Sequence, residues 1–200
     1  MVTRKQQAAL SREKLLDAAR ELIIENGYNN ISIVDITRAC NMSVGNFYHY
    51  FKSKEELITV LEREGYDQDV VILQNMKGQP ILEQLRFYME SYIDLMVNTY
   101  GHHFNRQWFI HYLNNPTPID DPANKVNILI NEVSIALNNA IDAGELSKET
   151  PVYNIAREIA FAITGANSYY AMTGGEFDPF GWCEQYCSDF LPLLLANWYK

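Results

Sequence analysis

The chain is poor in cysteine, with only Cys40, Cys183 and Cys187. An odd count without framework spacing excludes a disulfide scaffold and suits a reducing compartment. Cys183 and Cys187 stand four apart, a helix-face spacing that also fits a metal or reactive pair. No histidine or third cysteine lies near them, so small buried residues are the plainer reading. Long apolar runs are missing too. No stretch approaches the roughly 18 residues of a membrane span. The polar start, Met1 to Gln7, does not read as a signal peptide, so a cytoplasmic location is expected. There is no alternating strand pattern, no fixed-period repeat, no glycine-rich phosphate loop and no nucleophile–base pair at workable spacing. An enzyme is therefore not expected, and no catalytic residue, cofactor or metal is nominated. His102, His103 and His111 are too few for a convincing metal set. Adjacent histidines point apart on a helix, so His102 and His103 are read as exposed residues at a helix start.

The apolar fraction of 48% and charged fraction of 20% across 200 residues are those of an ordinary globular protein with a sizeable core. The net charge of −9 is unevenly spread. Residues 1–54 hold eight basic side chains (Arg4, Lys5, Arg12, Lys14, Arg20, Arg38, Lys52, Lys54) and five acidic ones (Glu13, Asp17, Glu21, Glu25, Asp35), a surplus of three. The remainder must then carry −12, from −9 less +3. A basic front on an acidic body suggests that only the front meets a polyanion.

Helical signals run throughout. Ser11 is expected to cap a first helix with a stripe at Leu15, Ala18, Ala19, Leu22 and Ile23, closed at Asn26-Gly27. Ser32-x-x-Asp35, Ser43 and Ser53-x-x-Glu56 open three more, the last as a full capping box. Pro80 opens a helix with a stripe at Leu82, Leu85, Met89, Tyr92, Ile93 and Met96. His103 to Leu113 is an aromatic helix. Asp121-Pro122, Thr150-Pro151 and Asp178-Pro179 repeat one start signal, a cap followed by a first-turn proline. The last helix is expected to use Trp182, Tyr186, Phe190, Leu194 and Trp198, with Pro192 kinking it or marking its final turns. The fold expected is all-α: a three-helix head at 1–54 and a larger helical bundle at 55–200, about nine helices in all.

Two short helices joined at Cys40-Asn41-Met42, the second opened by Ser43, form a helix-turn-helix. Asn41 supplies the residue that tolerates the left-handed region. Phe47 and Phe51, at i and i+4, are core anchors. Val44, Gly45, Asn46, Tyr48 and His49 then point outward. Glycine inside a helix costs about 1 kcal/mol relative to alanine, which makes sense where a bulky surface must approach the backbone. The DNA major groove admits a helix in this way. Asn46 suits a base edge and Val44 a thymine methyl, while Tyr48, Tyr50 and Lys54 have the reach for phosphates. Helix-start amides at Ser32, Ser43 and Ser53 suit phosphates as well. Capped short helices with half-buried tyrosines also occur in helical proteins that touch no DNA, and composition alone leaves both readings open.

The run from Ile36 through Cys40-Asn41-Met42-Ser43-Val44-Gly45-Asn46-Phe47-Tyr48-His49-Tyr50-Phe51-Lys52-Ser53-Lys54-Glu55-Glu56-Leu57 resembles the signature of the TetR family of transcriptional regulators. Ala18-Ala19, Leu22-Ile23, Gly27-Tyr28 and Ile33 resemble the family's first helix and following turn. The likeness covers about residues 10–60, and it departs at Thr37, Cys40, Asn41 and Met42. It implies that Ser43, Tyr48, Tyr50 and Lys54 contact phosphates. Val44, Gly45, Asn46 and His49 approach bases, and Arg4 and Lys5 form an arm. It further implies a homodimer formed through the last two helices, here about 151–172 and 179–198, on a palindromic double-stranded DNA site. Repression relieved by a small-molecule effector is the family's usual mode.

Tyr88, Tyr92, Met96, Trp108, His111, Tyr112, Asn167 and Tyr170 mix aromatic walls with polar tips and are the ligand-binding candidates. An aromatic stripe at helical spacing is more often plain core. The competing functional class is an all-α ligand carrier or enzyme with no DNA role.

Overall fold

A computed structural model describes residues 4–54, 56, 57, 59–61, 73, 76–121 and 124–200. Among them regular structure is helical, apart from isolated bridges at Lys77–Gln79 and Leu146–Tyr199. The elements are α1 (Arg4–Asn26), a 3-10 turn (Tyr28–Asn30), α2 (Ile33–Ala39) and α3 (Val44–Tyr50). The described residues of 54–61, all helical, belong to α4. Then follow α5 (Ile81–Asp94), α6 (Gly101–Asn114), α7 (Lys125–Asp142), α8 (Val152–Met172), α9 (Pro179–Gln185) and α10 (Leu191–Leu195). Stretches of π-helix at Leu95–Tyr100 and Tyr186–Phe190 extend α5 and join α9 to α10. None of the described helices is long and apolar enough to cross a membrane.

Helix α1 begins well before Ser11, which lies inside it. Gln6-Gln7-Ala8-Ala9-Leu10 contains good helix formers and no breaker, so nothing obliges a start at the serine. Gly27, at φ 79°, ends the helix as expected. Pro122 lies outside the described residues, and α7 is capped by Asn124, whose Oδ1 accepts from the Val126 amide at 3.1 Å. Thr150 does not cap α8, because its hydroxyl donates to the Ser147 carbonyl at 2.6 Å and Pro151 takes the cap position. Asp178-Pro179 acts as expected, Asp178 Oδ1 accepting from the Phe180 amide at 3.1 Å.

Core residues of head and body form one continuous apolar cluster, with Leu15, Leu16, Ile36, Phe47 and Leu57 in the same body as Leu85, Tyr88, Val133, Ile159 and Leu191. Tyr100 ties the parts by donating to the Leu61 carbonyl at 2.9 Å. The buried stripe of the last rod is Cys183, Cys187, Leu191 and Leu195. The expected stripe of larger residues lies one position round the helix: Trp182 and Tyr186 are half-buried and Phe190 is exposed. Pro192 is accommodated by the π stretch just before it, where the hydrogen-bond ladder is already offset. The thiols of Cys183 and Cys187 are unoxidised and interact, and Cys187 also meets the Met89 sulfur at 3.9 Å.

Candidate nucleic-acid interface

Local chemistry sets the two short helices. Ser32 and Asp35 close a complete capping box: the Asp35 amide donates to Ser32 Oγ at 3.2 Å, and the Ser32 amide donates to the carboxylate at 2.9 Å. The Ser32 hydroxyl also donates to that carboxylate at 2.6 Å. These bonds hold Asp35 below the usual carboxylate range. At the turn Asn41 takes φ 55°, and the Met42 amide donates to the Thr37 carbonyl at 2.7 Å. The departures from the family pattern are accommodated locally. The buried Thr37 hydroxyl donates to the Ile33 carbonyl at 3.0 Å, and Cys40 Sγ to the Ile36 carbonyl at 3.3 Å. Burial pushes the Cys40 thiol up.

Ser43 caps α3 by accepting from the Asn46 amide at 3.2 Å. Phe47 and Phe51 are buried, their ring centres 5.5 Å apart, and the Arg12 guanidinium lies 5.5 Å from the Phe51 ring centre. With that face committed, Val44, Gly45, Asn46, Tyr48 and His49 all reach solvent, as their spacing predicts. Tyr48 is 57% exposed although its ring edge touches Phe47, so a large aromatic stands out from the head without cover. Tyr50 is half-buried. A Cβ placed on Gly45 would meet only Ser43 Oγ, at 3.7 Å. The chain's own packing therefore does not require glycine there.

Ser53 caps α4 from the Glu56 amide at 3.2 Å, but Glu56 does not complete the expected box: its carboxylate accepts from the Lys52 amide. Lys54 differs most from expectation. Its ammonium donates to the carbonyls of Tyr28 and Ile31, both at 2.8 Å, and lies 3.9 Å from the Tyr28 ring centre. It ties the start of α4 to the turn between α1 and α2, a contact no local spacing signals. The side chains of Arg4 and Lys5 lie outside the described ones.

The ligand candidates divide. Tyr88, Tyr92, Met96, Asn167 and Tyr170 are buried, whereas Trp108, His111 and Tyr112 are half-buried on α6. Trp108 and Tyr112 rings stand 4.8 Å apart. The Tyr88 hydroxyl donates to the carboxylate of Glu132 on α7 at 2.7 Å, a buried acid beside the apolar stripe that periodicity alone passed over. Asn167 is 3% exposed and its Oδ1 has no hydrogen-bond partner among the described residues. His102 is half-buried and His103 exposed, so the expected exposure holds for His103 alone, and their ring centres stand 4.1 Å apart, closer than diverging side chains would be. They sit on the first turn after Gly101, at φ 70°, and a Cβ on Gly27 would come within 3.4 Å of His103 and one on Gly175 within 3.0 Å of His102. Burial and the neighbouring His103 pull His102 below the usual histidine range. Among the described residues no three His, Cys, Asp or Glu side chains converge on a metal position.

Known proteins resemble this chain in sequence over the head and in fold over its whole length. The family profile described as bacterial regulatory proteins, tetR family, matches residues 15–61. The HTH-type transcriptional regulator UidR of Escherichia coli K12 is 30% identical over 95 residues, covering 48% of this chain and 47% of UidR. The HTH-type regulator QacR of Staphylococcus aureus is 44% identical over 46 residues, 23% of this chain and 24% of QacR. The match to UidR thus spans about half of that relative's length. The crystal structure of a TetR-family regulator from Pectobacterium atrosepticum superposes with TM-score 0.72 at 21% identity. That superposition covers 98% of this chain and 97% of the other, and at such identity it speaks for the fold.

Proposed function

We propose, since the chain belongs to the TetR family of bacterial regulatory proteins through its residues 15–61, that it is a sequence-specific DNA-binding transcriptional regulator. It binds a palindromic operator in the cytoplasm as a homodimer, and a small-molecule effector relieves its repression. The observation that carries this reading is the outer face of α3, exposed from Val44 to His49 around a helix glycine that internal packing does not need. Val44, Asn46 and His49 meet base edges there, and Gly45 lets the helix backbone come close to the groove. Tyr48, Tyr50 and the capped starts at Ser32 and Ser43 take phosphates. Lys54 contributes positive charge while its ammonium holds the α1–α2 turn. The division at 54/55 is functional rather than a break in packing, because the core runs through it.

Pairing uses α8 and the α9–α10 rod. Met172 is 79% and Leu193 70% exposed, and Tyr153, Phe161, Tyr169 and Phe190 accompany them outside the core. Apolar surface of this extent calls for a cover, and a second copy places two α3 helices about 34–36 Å apart, one turn of DNA. Phe161→Glu should shift sedimentation from dimer to monomer and abolish operator binding. A wild-type chain that sediments as a monomer at binding concentrations overturns the pairing.

The effector site is the bundle interior around Tyr88, Tyr92, Met96, Asn167 and Tyr170. An amide oxygen buried without a partner is costly, about 1–3 kcal/mol, and a ligand N–H or O–H on Asn167 Oδ1 removes that cost. Such a ligand releases DNA only by binding the two head arrangements with different affinity.

A further inference from the structure

A cleft of about 270 Å³ opens between the α1–α2 turn and α6, apart from the buried residues of the bundle interior. Tyr28 and Asn30 form one wall, and His103, Arg106, Gln107 and Ile110 the other. Charge sets it apart. The sequence holds 25 acidic and 16 basic residues, yet α6 (GHHFNRQWFIHYLN) has no Asp or Glu while carrying Arg106 and three histidines. Arg20, Arg38, Arg86 and Arg157 each pair with a carboxylate on their own helix. The helical neighbours of Arg106 at three and four residues are His102, His103, Phe109 and Ile110, which offer no such partner. Arg106 makes no ion pair, and the Gln107 side chain no hydrogen bond, among the described residues. Beside these donors, the Tyr28 ring and Ile110 supply apolar surface.

We propose that this cleft binds a small organic anion, with Arg106 gripping its carboxylate or phosphate, Gln107 and His103 adding donors, and Tyr28 and Ile110 flanking its apolar part. The position has a consequence for regulation. His103 lies against Gly27, with its Cβ, Cγ and Nδ1 each 3.4 Å from where a glycine Cβ would stand. Tyr28, on the opposite wall, is held by Lys54 through its carbonyl and its ring. A bound anion therefore bears on the α1–α2 turn and, through Lys54, on the start of α4 next to α3. It biases the head angle from outside the bundle interior.

Binding can be read without DNA, so its failure is separate from failure of the regulator reading. Inorganic phosphate and benzoate are titrated into the full chain at constant ionic strength while the ring resonances of its four histidines are followed by NMR. The expected result is saturable movement of His102 and His103 with benzoate, with His49 and His111 still. Phosphate gives the same pattern more weakly if the oxyanion alone suffices, and no movement if the apolar wall is needed. Arg106→Gln, on an exposed position, should weaken benzoate about tenfold, the loss of one charge-assisted bond. Gln107→Glu, which sets a carboxylate in the cleft, should do the same and serves if the first variant folds poorly. No saturable movement with either probe, equal movement of all four histidines, or an unchanged titration in both variants overturns the proposal. So does an Arg106→Gln chain that loses DNA affinity while wild type titrates neither probe, which would assign the arginine to nucleic acid.

Discussion

The head and the bundle are held by different kinds of tie. In the head, Ser32, Ser43 and Ser53 each accept from an amide three residues on, and Asp35 answers Ser32 over the same distance. The bundle closes across long stretches of chain. Glu145 accepts from the Ile81 amide at 3.0 Å, Tyr88 reaches Glu132, and Tyr100 reaches Leu61. The difference has a physical sense. Short helices cannot persist on propensity alone, and caps fix their ends without using the outer face. A bundle of long helices has area to bury and can spend polar groups on joining distant segments. Lys54 crosses the pattern as a long-range tie that closes the head.

Phe47→Ala should have the largest effect, destabilising the chain by about 3–5 kcal/mol in urea unfolding, because a buried ring common to the head helices is lost. Since core residues are continuous, the loss should appear in one cooperative transition. Two separate transitions would make the head an independent unit and sharpen the contrast beyond what the packing implies. Lys54→Met comes next, at about 1.5–3 kcal/mol for bonds from a charged donor. That loss should be measurable without DNA. A variant as stable as wild type would return Lys54 to a phosphate role alone.

Ser32→Ala and Glu145→Ala set a local cap against a distant one, each expected to cost about 0.5–2 kcal/mol. Hydrogen exchange should report the first in α2 and the second at the start of α5. Gly45→Ala should stabilise the chain by about 1 kcal/mol and weaken DNA binding, opposite signs from one methyl. The smallest effect is that of pH. The folded Asp35 value lies below the ordinary one, so its stabilisation is complete above the ordinary carboxylate range and fades as pH falls through the lowered folded value. Asp35→Asn should flatten that part of the acid-unfolding curve.

This division also explains what could be read from residues alone. The head was legible because its signals are local: Ser32 with Asp35, the left-handed Asn41, the Phe47–Phe51 pair and the outward set from Val44 to His49 all stand within a few residues of one another. Lys54 was not, because its partners at Tyr28 and Ile31 are remote in sequence. Helix order could be read along the whole chain, but the start of α1 in the head and of α8 in the body could not be placed from Ser11 and Thr150: a serine or threonine marks a start only if the preceding chain stops being helical or the side chain is not engaged elsewhere. The final rod shows another limit. Trp182, Tyr186 and Phe190 repeat every four residues as convincingly as Cys183, Cys187 and Leu191, and packing chose the smaller set for the core. Periodicity finds a stripe but does not say whether it faces inward or toward a partner.

The most direct measurement is fluorescence anisotropy of a duplex from the gene's own upstream region, titrated with wild-type, Asn46→Ala and Tyr48→Ala protein at several salt concentrations. Saturable wild-type binding that weakens with salt is expected. Asn46→Ala should lose about 1–3 kcal/mol on the preferred sequence and discriminate less, while Tyr48→Ala should lose affinity on every sequence alike. Absence of binding at low salt, or three indistinguishable isotherms, would contradict DNA recognition by the outer face of α3.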